Sequence, residues 1–589
     1  MARKRKHASR RPGAGVWVFF GVVALLVLLL AGLIVLLLNV GSGDTSGGMP
    51  AAAAPNTAPA VETSATPTPT PSPTPSPTAV PTPTPGPGAF TVQPDADAAP
   101  ADLGVESIAI QNGAQVQAYQ PETQLFMGLA GEYAQLEGVT TFRGNNYRDS
   151  AAYGTIPEEP EMQIAWTVDI GEIDDWGGIG WTGQCAIVRW PQEMLQIMNI
   201  REEKKAKADL KEVIYAALDG NIYFLDLEDG QPTRDPISIG APIKGSVTVD
   251  PRGYPLLYVG QGLDEAEGES VDIGTRIFSL IDQSLLYFLD GEDEYALRDW
   301  YAFDAAPLVD GKTDTMLQVG ENAILYLVHL NTDYDPAAGT ISIAPEVDRY
   351  VFRSSISEQP GMENSIAVYN QYGYFADNSG LLQCVNLNTL TCEWARDVDD
   401  DTDATIVLEQ EADGAVALYT ATELEHSASV SDYAYLRKFD ALTGRLLWEL
   451  PVRVRTSEDD EGGAFATPAL GKGELGNLVY IQMTRTPSDG ATLLAVDKQS
   501  GEVAWDVALG SAGWSSPVCV YTPSGKGYVI VGSSSGALRL YDGLNGRLTS
   551  ICDLDGNIEG SPAVFDDMIV VGTRSRQIFG VRILGEETA

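Results

Sequence analysis

Histidine, cysteine and basic charge are all scarce in this sequence, and each shortage closes off a class of function. The only histidines are His7, His329 and His426, so a zinc centre or a histidine-based catalytic dyad has little to draw on. The five cysteines, Cys185, Cys384, Cys392, Cys519 and Cys552, are too few for a disulfide scaffold and show no CxxC spacing. Lysine and arginine total 37 against 81 aspartates and glutamates. The bases are also segregated: Arg3, Lys4, Arg5, Lys6, Arg10 and Arg11 crowd the N-terminus, and no acid precedes Asp44. The remainder of the chain is strongly acidic and repels nucleic-acid phosphates and anionic headgroups, so no nucleic-acid partner is expected. Solubility is the plain reading of the acidity.

One long apolar run is present. Val16 to Leu38 carries no charge and is long enough as a helix to cross a bilayer core of roughly 30 Å. The basic cluster before it should stay in the cytoplasm, which sends the C-terminal bulk outside. A cleaved signal peptide is the competing reading; the run is longer than the usual apolar core of such peptides, about 7–15 residues, and no small-residue cleavage pattern lies behind it. The expected order is a cytoplasmic tail over residues 1–15, a transmembrane helix over 16–40 and a disordered linker over 41–100. That linker alternates Thr-Pro and Ser-Pro from Thr66 to Pro85. Such a composition favours an extended polyproline stalk of about 3.1 Å per residue.

A pre-propeller segment over 101–160 leads into repeats over 161–585. There, short β-rich runs alternate with Gly, Asp, Asn and Pro turns. Tyr435–Leu450, Thr492–Leu509 and Ala537–Asp553 align as one hairpin. Each is a strand ending in Asp440, Asp497 or Asp542, a turn containing Gly444, Gly501 or Gly546, and a second strand. The Asp caps the turn and the Gly supplies positive φ. Trp448 and Trp505 hold the same place in the second strand, where an aromatic can pack between sheets. Weaker copies stand at 221–240, 276–290, 340–354 and 381–397, the last with Trp394.

A small residue just before an apolar run marks each inner strand: Gln184, Ser246, Ala306, Ser365, Thr405, Thr467, Ser516 and Ser561. The expected fold is therefore an all-β, eight-bladed β-propeller of four-stranded antiparallel blades. Seven blades is the alternative, because the third unit is irregular. The last unit ends after three strands, and Gln163–Ile170, with Trp166 at the Trp position, should supply the fourth and seal the ring.

Hairpins of the form LxAxDxxTGxxxW resemble the pyrroloquinoline-quinone-like (PQQ-like) propeller repeat of quinoprotein dehydrogenases and of the propeller lipoprotein of outer-membrane barrel assembly. Thr141–Asp149, Val249–Gly262 and Ala376–Leu390 also look like bacterial membrane-anchored PQQ-like proteins. The resemblance spans about residues 137–584 and speaks for fold more than function. In the dehydrogenases it implies a vicinal disulfide of adjacent cysteines and acidic Ca²⁺ ligands. No two cysteines are adjacent here, so PQQ is not expected and no cofactor is predicted.

Several local features compete for a chemical role. Gly532–Gly536 (GSSSG) matches the nucleophile-elbow pattern, but it joins two strands and no histidine comes after it, so a repeat turn is expected. The acidic run Asp397–Asp403 fails the EF-hand pattern, with Ala404 or Thr402 where Gly is required; a looser Ca²⁺ site stays open beside a solvated loop. Cys384 and Cys392 lie on consecutive strands, where a disulfide is one of two even outcomes. The insertion at 191–212 reads as a short charged helix, either a surface excursion or a partner-binding element.

Two positions before the inner-strand markers stand Thr182, Lys244, Asp304, Glu363, Asp403, Phe465, Trp514 and Glu559. In a propeller they converge as a ring at one mouth of the channel. Carboxylates, a lysine and aromatics together suit a cation, an amine-bearing peptide or a sugar; the competing reading is a wet channel mouth with incidental charges. The expected function is a non-enzymatic cell-surface module that binds a cell-envelope ligand, a cell-wall polymer or envelope proteins. The alternative is an enzyme at the mouth, either a quinone-cofactor oxidoreductase or one acting on polysaccharide. A signalling ectodomain is disfavoured by the short tail.

Overall fold

The computed structural model describes residues 92–585 apart from 182, 427–431, 457–460 and 489. The expected tail, membrane helix and most of the linker lie outside the described residues. Among the described residues, no helix is long and apolar enough to cross a membrane.

Eight antiparallel sheets form the blades. Their inner strands, among them Ala186–Arg189, Ala367–Tyr369, Val518–Tyr521 and Ala563–Phe565, each begin two residues beyond a marker position. The markers are small and mostly hydroxylated for a physical reason: six of the eight backbone N–H groups at this level donate to the hydroxyl of the next blade's marker. Ser365 donates to Thr405 Oγ1 at 2.9 Å, Thr405 to Thr467 at 3.1 Å, Thr467 to Ser516 at 3.0 Å and Ser516 to Ser561 at 3.1 Å. This belt satisfies buried amides that no sheet ladder reaches.

Closure occurs as the sequence predicts. Glu161–Asp169 is the outer strand of the last blade, with Trp166 opposite Gly580. The third unit is a blade too, but not with the expected hairpin. Its outer strands are Ile324–His329 and Glu346–Arg353, whereas Thr340–Ser342 pairs with Asp333–Asp335 in a separate excursion.

The repeat motif is explained between blades. The indoles of Trp394, Trp448 and Trp505 donate to the carbonyls of Ala441, Lys498 and Gly543 in the following blade, at 2.8, 2.9 and 3.0 Å. The turn glycines Gly444, Gly501 and Gly546 lie directly beneath those rings, at φ of +69°, +74° and +69°. A Cβ there would meet ring atoms at 2.7–2.8 Å. Glycine is thus required twice, for the left-handed turn and for the neighbour's tryptophan.

The segment over 101–160 is built into the ring. Glu106–Gln111 extends the third blade at its outer edge. Glu137–Val139 pairs with the inner strand of the first blade, and Ala152–Tyr153 runs parallel to that of the last. Between them, Thr141–Asp149 plugs the channel. Arg143 donates to the carbonyls of Pro517 and Pro468 at 2.7 and 3.2 Å. Arg148 donates to those of Ile366 and Ala306 at 2.9 and 2.8 Å. Burial pulls both guanidinium groups down to about 10. Upstream, Val92 and Ala98 pack in the core that contains Tyr372 and Trp394, so contact with the propeller begins within the segment assigned to the linker.

Two further expectations are resolved. In the 191–212 insertion, Met194, Leu195 and Met198 are buried in a core shared with the first two blades. Lys204 is held by Asp226 at 2.7 Å and Asp229 at 3.0 Å. The insertion is therefore a surface excursion whose apolar face is packed into the propeller. Cys384 and Cys392 are free thiols. A bulge sets Cys384 opposite Trp394 and Cys392 opposite Val385, and the Cys392 thiol donates to the Trp394 carbonyl at 3.2 Å.

Candidate functional site: the acidic channel mouth

The starts of the inner strands and the turns joining second to third strands reach the same end of the channel, because adjacent strands run antiparallel. Lys244, Asp304, Glu363, Asp403, Phe465, Trp514 and Glu559 all meet there; Thr182 lies outside the described residues. Glu363, Asp403, Phe465, Trp514 and Glu559 line a cavity of about 540 Å³, in the range of small-molecule sites, while Asp304 and its partner Lys244 stand deeper beside it. The plug and the belt lie further along the inner strands, so the mouth is a blind pocket.

The turns add a second tier that the ring alignment does not include. Glu321 and Glu423 come just after the strands Thr315–Val319 and Val416–Ala421. Asp401, Glu425, His426 and Glu461 also belong to the mouth. Asn378 Nδ2 donates to Glu363 at 2.8 Å and to Asp401 at 3.3 Å. The signal for this tier is the recurrent polar turn, Asp219-Gly220-Asn221 and Asn378-Ser379-Gly380, which reads as a structural repeat alone.

Aromatic side chains form one wall. Phe465 stacks on Trp514 at 4.7 Å between centroids, and Trp514 meets Trp181 edge-to-face at 5.8 Å. Trp181 is absent from the ring alignment because it precedes the expected position by one residue. Lys244 Nζ lies 3.9 Å from the Trp181 centroid and 3.6 Å from Asp304.

Acid crowds acid in this pocket. Burial pushes Asp304 up to about 7, against the pull of Lys244. Burial, then Glu363 and Asp304, hold Glu321 well above the ordinary carboxyl range. Burial and then Asp403 raise Asp401, burial and then Glu363 raise Asp403, and burial followed by Asp403 and Asp401 raises Glu423. For Lys244, burial works against the ammonium, but Asp304, Glu321, Glu363 and Asp403 outweigh it and raise its pKa. Two groups have ligand atoms within 4.8 Å of one another, Asp304–Glu321–Glu363 and Asp401–Glu425–His426. The arrangement attracts positive charge.

Other candidates take structural roles. The Gly532–Gly536 stretch is a turn between Gly527–Val531 and Ala537–Asp542, and Ser534 N–H donates to the Ala512 carbonyl at 2.8 Å. It lacks the strand-to-helix geometry of a nucleophile elbow. The Asp397–Asp403 run is split: Asp397 and Asp399 are exposed, and the chain turns inward from Asp400. Asp400 accepts from the His426 and Glu425 amides at 2.9 and 3.2 Å, while Asp401 and Asp403 enter the mouth.

Fold and site together define an eight-bladed β-propeller of PQQ-like repeats with a plugged channel and an acidic, aromatic-walled mouth. Its C-terminal repeats match the family described as outer membrane protein assembly factor BamB, over residues 380–550 and 489–584. Quinohemoprotein alcohol dehydrogenase ADHIIG from Pseudomonas putida HK5 is similar in fold, with a TM-score of 0.52 at 12% identity, covering 76% of this chain and 80% of that one. BamB from Moraxella catarrhalis gives 0.42 at 14% identity, covering 71% and 98%. At these identities the likeness shows the fold alone. No curated protein matches the sequence.

Proposed function

We propose that the protein is a non-enzymatic binding module of the cell envelope whose channel mouth takes a positively charged ligand. One observation carries this reading: buried carboxylates of the mouth outnumber its bases, and they stand beside an unbroken wall of aromatic rings. Such a lining costs stability in the ligand-free protein and is repaid when a cation enters. The apolar run Val16–Leu38, the basic cluster before it and the Pro/Thr-rich stalk support a membrane-anchored protein that displays the propeller outside the cell. Envelope proteins or a cell-wall polymer bearing amines are the partners such a placement offers.

The same lining counts against a quinone. PQQ is itself a polycarboxylate and would meet mostly like charge, since seven carboxylates line the cavity against Arg298, Arg485 and His426, and none of the five cysteines lines the mouth. The donor set does not fit that cofactor, and no redox step is derived from it.

A thermal-shift series tests the reading, using amines, divalent metal chlorides and neutral sugars. At least one cationic class should raise the melting temperature of the wild-type protein, and the shift should vanish in Asp403→Asn. Stabilisation by neutral sugars alone, or a shift retained in the variant, would overturn it.

A further inference from the structure

The mouth already shows how it holds an ammonium. Lys244 Nζ sits 3.9 Å from the Trp181 centroid, 5.7 Å from Trp176 and 6.0 Å from Trp300, with Asp304 at 3.6 Å. It is a cation caged by indoles and a carboxylate, and a protein side chain fills it. Next to it lies a second cage of the same chemistry. A chamber of about 30 Å³ is walled by Trp181, Asp304, Glu363, Asp403, Phe465 and Trp514. That is room enough for a group the size of a water molecule, and an –NH₃⁺ head is of similar size. The chamber opens into the larger cavity, sharing Trp181, Glu363, Asp403, Phe465 and Trp514 with it.

Unsatisfied oxygens point to the same occupant. Asp304 meets Lys244 only at ion-pair distance, and both of its oxygens lack a hydrogen bond. A buried carboxylate oxygen left unpaired is costly, and an N–H donor relieves that cost.

We infer that the mouth takes an alkylammonium: the –NH₃⁺ head enters the inner chamber, the chain lies along Phe465 and Trp514, and the remainder of the ligand occupies the outer cavity. This rests on the cation-binding reading and names its ligand class. A calcium ion suits the chamber poorly, because it seeks about six to eight oxygen ligands and half of this wall is ring face. Ring faces do attract an ammonium, as Trp181 does Lys244.

The test is calorimetric titration of the purified protein with 1,5-diaminopentane, N-acetyl-lysine amide and calcium chloride. We expect an amine to bind, and Trp514→Ala and Phe465→Leu each to weaken it by about tenfold or more. Binding of the lysine amide would point to a side chain presented on a polymer, and binding of the diamine alone to a free amine; either supports the inference. Having two aromatic variants guards against one that folds poorly. Calcium binding with no amine binding would overturn the inference and leave the cation site standing. Silence from all three would overturn both.

Discussion

The indole Nε1 of Trp166 donates to the Leu227 carbonyl at 2.8 Å, and this bond joins the strand that closes the ring to the first blade. The same relationship links Trp394 to Ala441 and Trp448 to Lys498 further round. At the seam, Gly230 lies under the Trp166 ring, where a Cβ would meet it at 2.7 Å. The closing blade thus uses the contact that the internal blades use, although its outer strand comes from the opposite end of the repeat region.

Loss of this contact should open the ring. Trp166→Ala is expected to cost about 3–5 kcal/mol, the scale of a large buried aromatic removed. Trp166→Phe keeps most of the packing and loses the hydrogen bond, so about 1 kcal/mol is expected. Denaturant midpoints for the two variants check the order.

The plug should resist even a charge-conserving change. Arg148 reaches the Ile366 and Ala306 carbonyls through different guanidinium nitrogens, and a lysine has no such fork. Arg148→Lys should therefore cost about 3 kcal/mol or more, because buried carbonyls lose their donors. Equilibrium unfolding measures it, and a variant of wild-type stability would refute the plug's role.

Neutralising an acid at the mouth should do the reverse. Glu423 is buried beside Asp403 and Asp401, so Glu423→Gln removes a carboxylate that must take up a proton on folding. A gain of about 1–2 kcal/mol in the ligand-free protein is expected, together with weaker cation binding. Thermal unfolding with and without ligand separates the two effects.

The ligand-free protein should also lose stability as pH rises. Burial lifts Asp304 from the usual carboxyl range to about 7, and holds Asp403 and Glu423 well above that range too. Groups raised on folding favour the folded state while they keep their protons. Their contribution is complete below about pH 4, the unfolded value, and is lost as pH rises through about 7 and beyond. Calorimetric melting across that range should fall in the wild type and flatten in an Asp403→Asn/Glu423→Gln variant.

Much of this architecture was legible because it is periodic. The belt needs a small residue or hydroxyl at one level of every blade, so Ser365, Thr405, Thr467 and Ser516 announce the inner strands, and counting back two places finds the first tier of the mouth. Trp166 could be matched to Trp448 because both answer a turn glycine in the next blade. What escaped is not periodic. Nothing local to Thr141–Asp149 says that two arginines will thread the channel and cap its carbonyls. Trp181 sits one residue off the alignment, and Glu321 and Glu423 enter from turns that resemble ordinary connectors. Cys384 stands opposite Trp394 and Cys392 opposite Val385, so the ladder never sets the two thiols face to face. The third blade carries its hairpin earlier than its neighbours because the Asp333–Ser342 excursion lies between its outer strands.

The most direct test of a cation-binding mouth is the pH dependence of amine binding. Titrating 1,5-diaminopentane into the wild-type protein at about pH 6 and about pH 8 should give tighter binding at the higher value, with protons released to the buffer as Asp304, Asp403 and Glu423 ionise around the cation. The Asp403→Asn/Glu423→Gln variant should lose both the affinity and the proton release. Affinity that is equal at the two pH values, or unchanged in the variant, would contradict a mouth whose buried carboxylates are held in readiness for a cation.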